Sequence, residues 1–330
     1  MPTIRDVAKQ AGVSIATVSR VLRKHDNVSP DTRDRVMTAV TDLKFTPSQL
    51  GRSLAERRHA ANGIVFPDLS GPFYAEVLLG YEEVAAELGR SVLILSTHGR
   101  DAAPAMVHDL AGRVDGLVLF GRTVTDEVVG EIAARGVPVV LLARPRVGDV
   151  ESVNAENTAS ARALAQHLLD DGRRSFCFVG DPATAPDIAE RWQGVESVVA
   201  DAPGASLEQM RPEGFGEDAG ASTAHRLVAA GIPDALVCAN DELALGVLTE
   251  LRKQAVDVPG QVAVTGWDDV MAARYAGLTT VRQPMRELGM QSARYLDELI
   301  RGEQREPRHD VLPTQLVVRS SCAHHQEEPA

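Results

Sequence analysis

The chain has 330 residues and a mass of 35.3 kDa, and this length indicates two or three domains. Its composition, with 44% hydrophobic and 24% charged residues, is that of a globular protein and excludes a disordered chain, a collagen and a disulfide scaffold. No apolar run approaches the roughly 18 residues of a membrane span. The net charge of -12 is unevenly divided, because 1–59 carries +5 and 60–330 carries -17, and a basic segment on an acidic body is typical of a head that binds nucleic acid.

Three short amphipathic helices are predicted at the start of the chain, over 4–11, 15–22 and 30–43. Apolar residues recur in each of them at the three- and four-residue spacing of a buried helix face. Gly12 ends the first helix in a tight turn, and Ser14 precedes the second as its N-cap. Helix, glycine turn, helix, loop and helix is the plan of a helix-turn-helix DNA-binding domain. Any small three-helix unit gives similar signals, so DNA binding stays open on this plan alone.

The next segment contains a further helical stretch, PSQLGRSL. It is shorter than the roughly 12 residues that an isolated helix needs in water, so we expect it to fold only on a partner. These signals divide the chain into a helix-turn-helix segment at 1–46, a short helical segment with a linker at 47–59, and a larger body at 60–330.

The strings TIRDVAKQAGVSIATVSRVL and VSPDTRDRVMTAVTDLKFTPSQLGRSL resemble the DNA-binding head and hinge of the lactose-repressor and galactose-repressor family. The resemblance covers about the first 58 residues without a gap and implies that the hinge folds on operator DNA. The implied DNA contacts are Ser14, Ile15, Ala16, Thr17, Ser19, Arg20 and Leu54. The chain departs from the family at Gly51, where alanine is usual, and a glycine costs about 1 kcal/mol in a helix.

By this resemblance, three side chains on the second helix read base edges in the major groove. Arg20 can donate two parallel hydrogen bonds to guanine O6 and N7. Ile15 and Ala16 can offer only apolar contact, such as that to a thymine methyl group. The alternatives are that Ile15 belongs to the core of the head and that Arg20 is a solvated charge.

The remaining implied contacts position the head and bend the duplex. The hydroxyls of Thr17 and Ser19, and the amide end of the helix near Ser14, suit phosphates, which set register without reading sequence. Leu54 is implied to wedge into the central minor-groove step together with its copy from a second subunit. Its alternative role is an ordinary contact between domains.

From Gly63 onward, short apolar segments alternate with amphipathic helical stretches. The apolar segments are GIVFP, SVLIL, DGLVLF and VPVVLLA, and then SFCFVG, DALVCAN and QVAVTGW. This alternation predicts an α/β fold with parallel sheets covered on both faces by helices. Because the series restarts after Asn154, we expect two lobes with a ligand cleft outside the carboxyl ends of the strands. The stretch between the helices near 186–200 and 219–230 predicts no element.

The family resemblance continues through PDLSGPFYAEVLLG, ANDELALG, VTGWDD and LTTVRQPMRELG and covers nearly the whole chain. It implies a two-lobed effector domain of the type I periplasmic-binding-protein kind. The implied effector contacts are Phe73, Tyr74, Asn157, Arg191, Phe215, Asn240, Asp268 and Gln283. Carboxylate, guanidinium and amide groups pair with sugar hydroxyls in fixed directions, and an aromatic ring covers the apolar face of a sugar. A sugar is therefore favoured over a nucleobase.

Several of these residues have alternative interpretations. Asn240 and Asp241 are also placed to cap the following helix, and Asp268 to start another helix or, with the next aspartate, to bind a metal. Phe73 also fits the core, and Phe215 rests on the resemblance alone. Three departures from the family pattern predict a reshaped pocket, and these are Glu156, Ser160 and Trp267.

Two other classes of protein fit the sequence less well. An exported sugar-binding protein shares the body but needs a signal peptide, and we expect none. An enzyme needs a nucleophile, a phosphate loop or a metal site, and no GxxxxGK[ST], GxSxG or HExxH motif occurs. Cys177, Cys238 and Cys322 match no metal spacing and are expected to be thiols in a reducing compartment. We therefore expect neither enzymatic activity nor a cofactor.

The sequence thus predicts a cytoplasmic, homodimeric transcriptional repressor without membrane association. Two heads are expected to bind the half-sites of a pseudo-palindromic operator, while a small ligand, favoured to be a sugar, controls the affinity allosterically. No leucine heptads follow VVRSSCA, so a dimer is expected rather than a tetramer. The alternative is a cytoplasmic ligand-binding protein of the sugar-binding class without DNA-dependent regulation.

Overall fold

A computed structural model describes residues 2–22, 28–45, 59–303 and 306–322 of the chain. The chain divides into two compact units, 1–59 and 60–330. Nearly all of the hinge expected at 47–59, with Leu54 and Gly51, lies outside the described residues.

The head consists of three helices, as the sequence predicts: α1 Ile4–Ala11, α2 Ile15–Leu22 and α3 Pro30–Asp42. Gly12 has a left-handed backbone with φ of 64°, and its amide donates to main-chain carbonyls of α1. This conformation turns the chain sharply into α2, and glycine adopts it without a Cβ clash. Val7, Val18 and Val36, one from each helix, are fully buried and form the centre of the small core.

The first lobe of the second unit contains a six-stranded parallel sheet. Its strands are β1 Ala61–Phe66, β2 Ser91–Ser96, β3 Gly116–Phe120, β4 Val139–Leu142, β5 Glu151–Ala155 and β11 His309–Leu312. They lie in the order β11-β5-β4-β3-β1-β2. The helices of this lobe are α4 Pro72–Glu87, α5 Ala103–Ala111, α6 Asp126–Ala134 and α12 Met285–Arg301. Buried Val, Ile and Leu side chains fill both faces of the sheet, which explains the continuous apolar segments.

The second lobe contains a four-stranded parallel sheet. Its strands are β6 Ser175–Val179, β7 Ser206–Met210, β8 Ala235–Cys238 and β9 Ala263–Thr265, in the order β7-β6-β8-β9. Its helices are α7 Thr158–Asp170, α8 Pro186–Ala200, α9 Glu217–Ala230, α10 Asp241–Lys253 and α11 Met271–Tyr275. A short antiparallel pair, β10 Thr280–Arg282 and β12 Gln315–Val317, lies beside α7.

The predicted α/β class, with a helix-turn-helix head and two parallel sheets, is confirmed. The structure also contains elements that the sequence analysis did not predict, among them β5, β11 and α12, and two further details differ from the expectation. The stretch for which no element was predicted contains β7, an edge strand whose sequence SLEQM has almost no apolar signal. The lobes are also not two successive halves of the chain, because α12 and β11 return to the first lobe after the second lobe is built. The chain therefore passes three times between the lobes, near 156, near 284 and near 313.

Candidate functional site

The start of α2 is fixed by hydrogen bonds between Ser14 and the first turn of the helix. The Ser14 hydroxyl oxygen accepts a 3.1 Å hydrogen bond from the Thr17 amide and lies 2.9 Å from the Thr17 hydroxyl. This N-cap satisfies one of the free amides at the start of α2. Gly12 and Ser14 together fix where the helix begins, and so fix which side chains its first turn presents.

The outer face of α2 carries the side chains that the sequence analysis assigned to base reading. Ile15 is 45% exposed, and Ala16 and Arg20 are exposed as well, whereas Val18 and Val21 on the opposite face are buried. Ile15 therefore does not belong to the core of the head. Ser14 is exposed too, and Thr17 and Ser19 are half-buried at the edge of the same face.

A cavity of about 260 Å³ lies between the two lobes of the second unit. It is lined from the first lobe by Phe73 and Arg144, and from the second lobe by Asp187 and Glu190. Asn157 and Gln283 also line the cavity, and each lies beside one of the crossings of the chain between the lobes. Three of the predicted effector contacts thus line this cavity directly, and its walls combine an aromatic ring with charged and amide groups.

Arg191 organises one wall of the cavity. Its guanidinium donates to the Asn157 side-chain oxygen at 2.9 Å, to the Ala239 carbonyl at 2.8 Å and to the Asp187 carboxylate at 2.9 Å. The guanidinium carbon also lies 4.7 Å from the ring centre of Trp267, which is buried beneath it. Arg191 is itself buried, so its role in the described structure is to orient Asn157 and Asp187 toward the cavity.

Asp268 is a buried carboxyl group bonded to the Gln283 side chain. The Gln283 amide donates to it at 2.6 Å. Burial raises the pKa of Asp268 well above its usual range, while the positive charge of Arg191 opposes that rise. Asp268 also has a φ of 119°, which a residue with a Cβ rarely adopts. Such strain is frequent at functional sites, where the surrounding structure holds it.

Two of the three predicted aromatic contacts, Phe73 and Tyr74, belong to a cluster at the amino end of α4. Tyr74 packs edge to face on Phe73 at 5.5 Å, on Phe120 at 5.4 Å and on Phe66 at 5.7 Å between ring centres. Burial raises the pKa of the Tyr74 phenol, and the negative charges of Asp187 and Asp268 in the second lobe add to that rise. Tyr74 is therefore close to the acidic wall of the opposite lobe. Phe73 alone of this cluster lines the cavity.

Asn240 and Phe215 lie apart from the cavity lining. The Asn240 side-chain oxygen caps α10 by accepting from the Leu243 amide at 3.0 Å, and its amide donates to the Phe215 carbonyl at 3.0 Å. The Phe215 ring is 44% exposed. In this arrangement Asn240 holds the loop that carries Phe215, and neither side chain is among those that form the cavity wall.

Asp241 has a structural role that the capping interpretation does not include. It is fully buried and accepts from the Thr280 hydroxyl at 2.6 Å and from the Val270 amide at 2.9 Å. Burial raises its pKa from 3.8 to about 7. Asp269, the residue after Asp268, accepts hydrogen bonds from the guanidinium groups of Arg282 and Arg319. Both carboxyls therefore join segments of the second lobe.

Three polar residues at the cavity were missed in the sequence. Arg144 is buried directly after β4, bonded to the Val124 carbonyl and to Asp126, and its Nε atom has no partner among the described residues. Glu190 accepts from the Asn157 amide at 2.9 Å, and partial burial raises its pKa. Asp187 lies one turn before Arg191 on α8. The position of Arg144 after the segment VPVVLLA was a usable signal, whereas Asp187 and Glu190 lie on a helix and follow no strand.

The departures from the family pattern have physical explanations at two positions. The Glu156 carboxylate accepts from the Ala159 and Ser160 amides and so caps α7 with a negative charge at its amino end. Trp267 is buried under Arg191 and supports it. Both residues therefore support the cavity wall.

None of the helices in the described part of the chain combines the length and the apolar composition needed to cross a bilayer.

Comparisons with known proteins agree with both units. The family described as bacterial regulatory proteins, lacI family, matches residues 3–48, and a periplasmic binding protein-like domain matches residues 165–322. The HTH-type transcriptional regulator CelR of Thermobifida fusca is 33% identical over 334 residues, which cover 97% of this chain and 98% of that protein.

Two solved structures extend the similarity to the fold of nearly the whole chain. The lac repressor dimer bound to operator and to the anti-inducer ONPF has a TM-score of 0.87 at 26% identity, and the match covers 98% of this chain and 99% of that one. The complex of the transcriptional regulator CelR with cellobiose has a TM-score of 0.71 at 31% identity over 97% of this chain and 100% of that one.

Proposed function

The chain belongs to the lacI family of bacterial regulatory proteins, and from this premise we propose that it is a transcriptional repressor whose operator affinity is set by a sugar bound between the lobes. The homodimer places two heads on the half-sites of a pseudo-palindromic operator, because a single head makes too few contacts for specific binding. Since its partner is the DNA of the cell, we place the protein in the cytoplasm.

The polar lining of the cavity is the observation that carries the choice of ligand. Asn157, Asp187, Glu190 and Gln283 offer amide and carboxylate atoms at fixed positions, and Phe73 offers an aromatic face. Hydroxyl groups can donate to carboxylates and accept from amides, so a compact polyhydroxylated ring satisfies both kinds of group. A relative with the same fold, CelR, is known in complex with cellobiose, which supports a carbohydrate here.

A nucleobase is the second candidate ligand. It needs flat aromatic or apolar surfaces on both sides, and the cavity offers one aromatic ring and an acidic opposite wall. The sugar is therefore favoured.

The proposed DNA contacts are side chains on and beside the outer face of α2, together with its N-cap Ser14. Arg20 reads guanine, Ile15 and Ala16 contact thymine methyl groups, and Ser14, Thr17 and Ser19 contact phosphates. Leu54 is proposed to insert in the minor groove. The exposure of Ile15, an apolar residue that folding leaves at the surface, supports a role in binding.

Exposed apolar side chains in both lobes suit contacts with a second copy of the chain. β2 is an edge strand, and Ile94 on it and Leu79 on α4 are 46% and 47% exposed. In the second lobe, Met271 and Tyr275 on α11 are 71% and 83% exposed. An uncovered apolar edge strand tends to pair with another chain, so a dimer that covers these residues removes that liability.

In this proposal the sugar acts by favouring one arrangement of the lobes. Gln283 lines the cavity and Asp268 holds its side chain from behind, close to one of the crossings between the lobes. A ligand that bonds to Gln283 therefore biases how the lobes are oriented. The lobe arrangement in a dimer sets the separation of the two hinges, and so the cost of folding them on DNA. Such coupling amounts to about 1 to 3 kcal/mol and is reciprocal between sugar and operator.

The experiment that tests the ligand class is a thermal-shift screen of the full chain with matched panels of carbohydrates and nucleosides. A ligand at 100 times its dissociation constant stabilises a protein by about 2.7 kcal/mol. We expect a hit among the carbohydrates that disappears in Arg191→Ala and Asp268→Ala. A hit among the nucleosides alone would show that the ligand is a nucleobase compound and not a sugar. If a ligand binds but the protein shows no preference for any DNA sequence in a binding titration, the chain is a ligand-binding protein without DNA-dependent regulation.

A further inference from the structure

The end of α7 and the end of the described chain bring three potential metal ligands together. His167 and Asp171 are four residues apart at the end of α7, so they share one face of the helix. Cys322 follows β12 and is buried against the same turn. The His167 Nε2 atom lies 3.2 Å from the Cys322 Sγ atom and 3.7 Å from an Asp171 carboxylate oxygen. All three ligand atoms lie within 4.8 Å of one another.

We propose that His167, Asp171 and Cys322 bind a divalent transition metal, with Zn²⁺ as the expected ion. Imidazole nitrogen, thiolate sulfur and carboxylate oxygen are the ligands that zinc uses in proteins. Zinc bonds of about 2.0 to 2.3 Å at tetrahedral angles separate neighbouring ligand atoms by about 3.3 to 3.6 Å. Both measured distances from His167 lie close to that range. Water takes the fourth position.

The arrangement around His167 differs from a hydrogen-bonded cysteine, histidine and aspartate relay. Such a relay uses the two ring nitrogens for two different partners. Here the sulfur and the carboxylate both approach the same nitrogen, Nε2, and a single N–H can serve only one of them well. A nitrogen, a sulfur and an oxygen atom within 4.8 Å of one another form a set that one metal ion can bridge.

The proton balance of metal binding follows from the neighbours of Cys322. The Cys322 thiol donates to the Thr279 hydroxyl oxygen at 3.0 Å. Binding of M²⁺ forms the metal–sulfur bond with the thiolate, and the thiol proton leaves to solvent. His167 binds as the neutral imidazole through Nε2, and Asp171 binds as the carboxylate.

The surroundings give a cation a route to the three ligand atoms, and they place charges of both signs near the site. Asp171 and His167 are partly exposed, so an ion can enter from that side and then contact the buried sulfur. The carboxyl end of a helix carries a partial negative charge that attracts cations. The nearby Arg173 guanidinium donates to the Pro259 and Asp234 carbonyls, and its positive charge opposes the attraction of a cation. The bound ion joins residues 155 positions apart in the chain and so stabilises the second lobe.

The test is a titration of the full chain with Co²⁺, which replaces Zn²⁺ and absorbs light. We expect a near-ultraviolet charge-transfer band from a cobalt–thiolate bond, which Zn²⁺ removes by displacement. Cys322→Ser and His167→Gln are expected to abolish the band. Asp171→Asn, at a partly exposed position that tolerates change, is expected to weaken Co²⁺ binding by more than about tenfold, since even the loss of an outer-shell partner costs about 10- to 100-fold.

The matched control removes the two histidines that follow Cys322 in the sequence. His324→Ala combined with His325→Ala eliminates a histidine pair able to bind metal by itself, and the cobalt band is expected to remain. The proposal is overturned if the wild-type chain gives no band, or if the band survives Cys322→Ser. It is equally overturned if the band depends on the histidine pair and Asp171→Asn has no effect.

Discussion

The Gln283 side-chain amide donates a 2.6 Å hydrogen bond to the Asp268 carboxyl group, and both residues are buried beside a crossing between the lobes. Gln283 lines the cavity, whereas Asp268 lies behind it and close to Arg191. The pair therefore connects the proposed ligand site with the crossing of the chain near 284.

The Asp268→Asn variant tests this connection at the level of ligand binding. Asp268 positions the Gln283 amide at the cavity wall, and an Asn side chain can turn its own amide toward Gln283 and so weaken that contact; a hydrogen bond of this kind contributes about 0.5 to 1.5 kcal/mol. We expect the binding free energy of the sugar, measured by isothermal titration calorimetry, to weaken by that amount. Asp201→Asn, exposed at the end of α8, is the matched control. Unchanged affinity in Asp268→Asn would remove Asp268 from the site.

Arg20 provides the corresponding test in the head. The operator can be compared with a version in which another base replaces the contacted guanine. In Arg20→Ala, the difference in binding free energy between these two DNA sequences is expected to fall by about 1 to 3 kcal/mol. Arg20→Lys keeps the charge but loses the paired donors, so it should restore general binding but not discrimination. Fluorescence anisotropy at several salt concentrations separates the two effects. An equal loss on every sequence would make Arg20 a phosphate contact.

The buried Asp241 carboxyl predicts a pH dependence of stability. Burial raises its pKa from 3.8 to about 7, so the folded protein holds the proton to higher pH than the unfolded chain. The stabilising contribution is then complete below about pH 4 and is lost as the pH rises toward 7. In Asp241→Asn the free energy of unfolding should fall less over this window, as measured by urea denaturation. Asp218 is exposed, so in Asp218→Asn the free energy of unfolding should change with pH as in the wild type. The same pH dependence in Asp241→Asn would contradict the raised pKa of Asp241.

Two glycines on helices of the first lobe give a test of packing with an internal control. A Cβ on Gly80 in α4 would lie 2.0 Å from the Arg286 carbonyl oxygen at the start of α12, and backbone cannot rotate out of the way. Gly80→Ala is therefore expected to cost about 1 to 3 kcal/mol or more. Gly130 in α6 has no described atom within 4 Å of its Cβ position, so Gly130→Ala should stabilise by about 0.5 to 1 kcal/mol. Equal unfolding midpoints for the two variants would contradict the close contact of α4 with α12.

The sequence alone predicted the fold well because the inner strands of both sheets are buried on both faces. Segments such as SFCFVG and DALVCAN are continuously apolar and become β6 and β8, whose residues are almost fully buried. β7 was missed because it is an edge strand with polar side chains. The helix α12 was not predicted, and only tertiary contacts show which sheet it covers.

The candidate site was predictable where a residue follows a strand or matches a motif. Asn157 and Gln283 reach the cavity from positions 126 residues apart, and resemblance rather than local pattern pointed to both. Glu190 was not found because an acidic residue on an amphipathic helix is usually predicted to be an exposed, solvated side chain. The convergence of His167 with Cys322 has no local signal either, since the two residues meet only in the folded second lobe.

The central claim is that sugar and operator binding are coupled, and the most direct measurement is the operator affinity of the dimer with no sugar and with a saturating amount of the sugar found in the screen. The two dissociation constants are expected to differ by about 5- to 150-fold, and the sugar affinity should change by the same factor when operator is bound. Identical operator affinities in the two titrations, at matched salt and with sugar binding verified, would contradict the account.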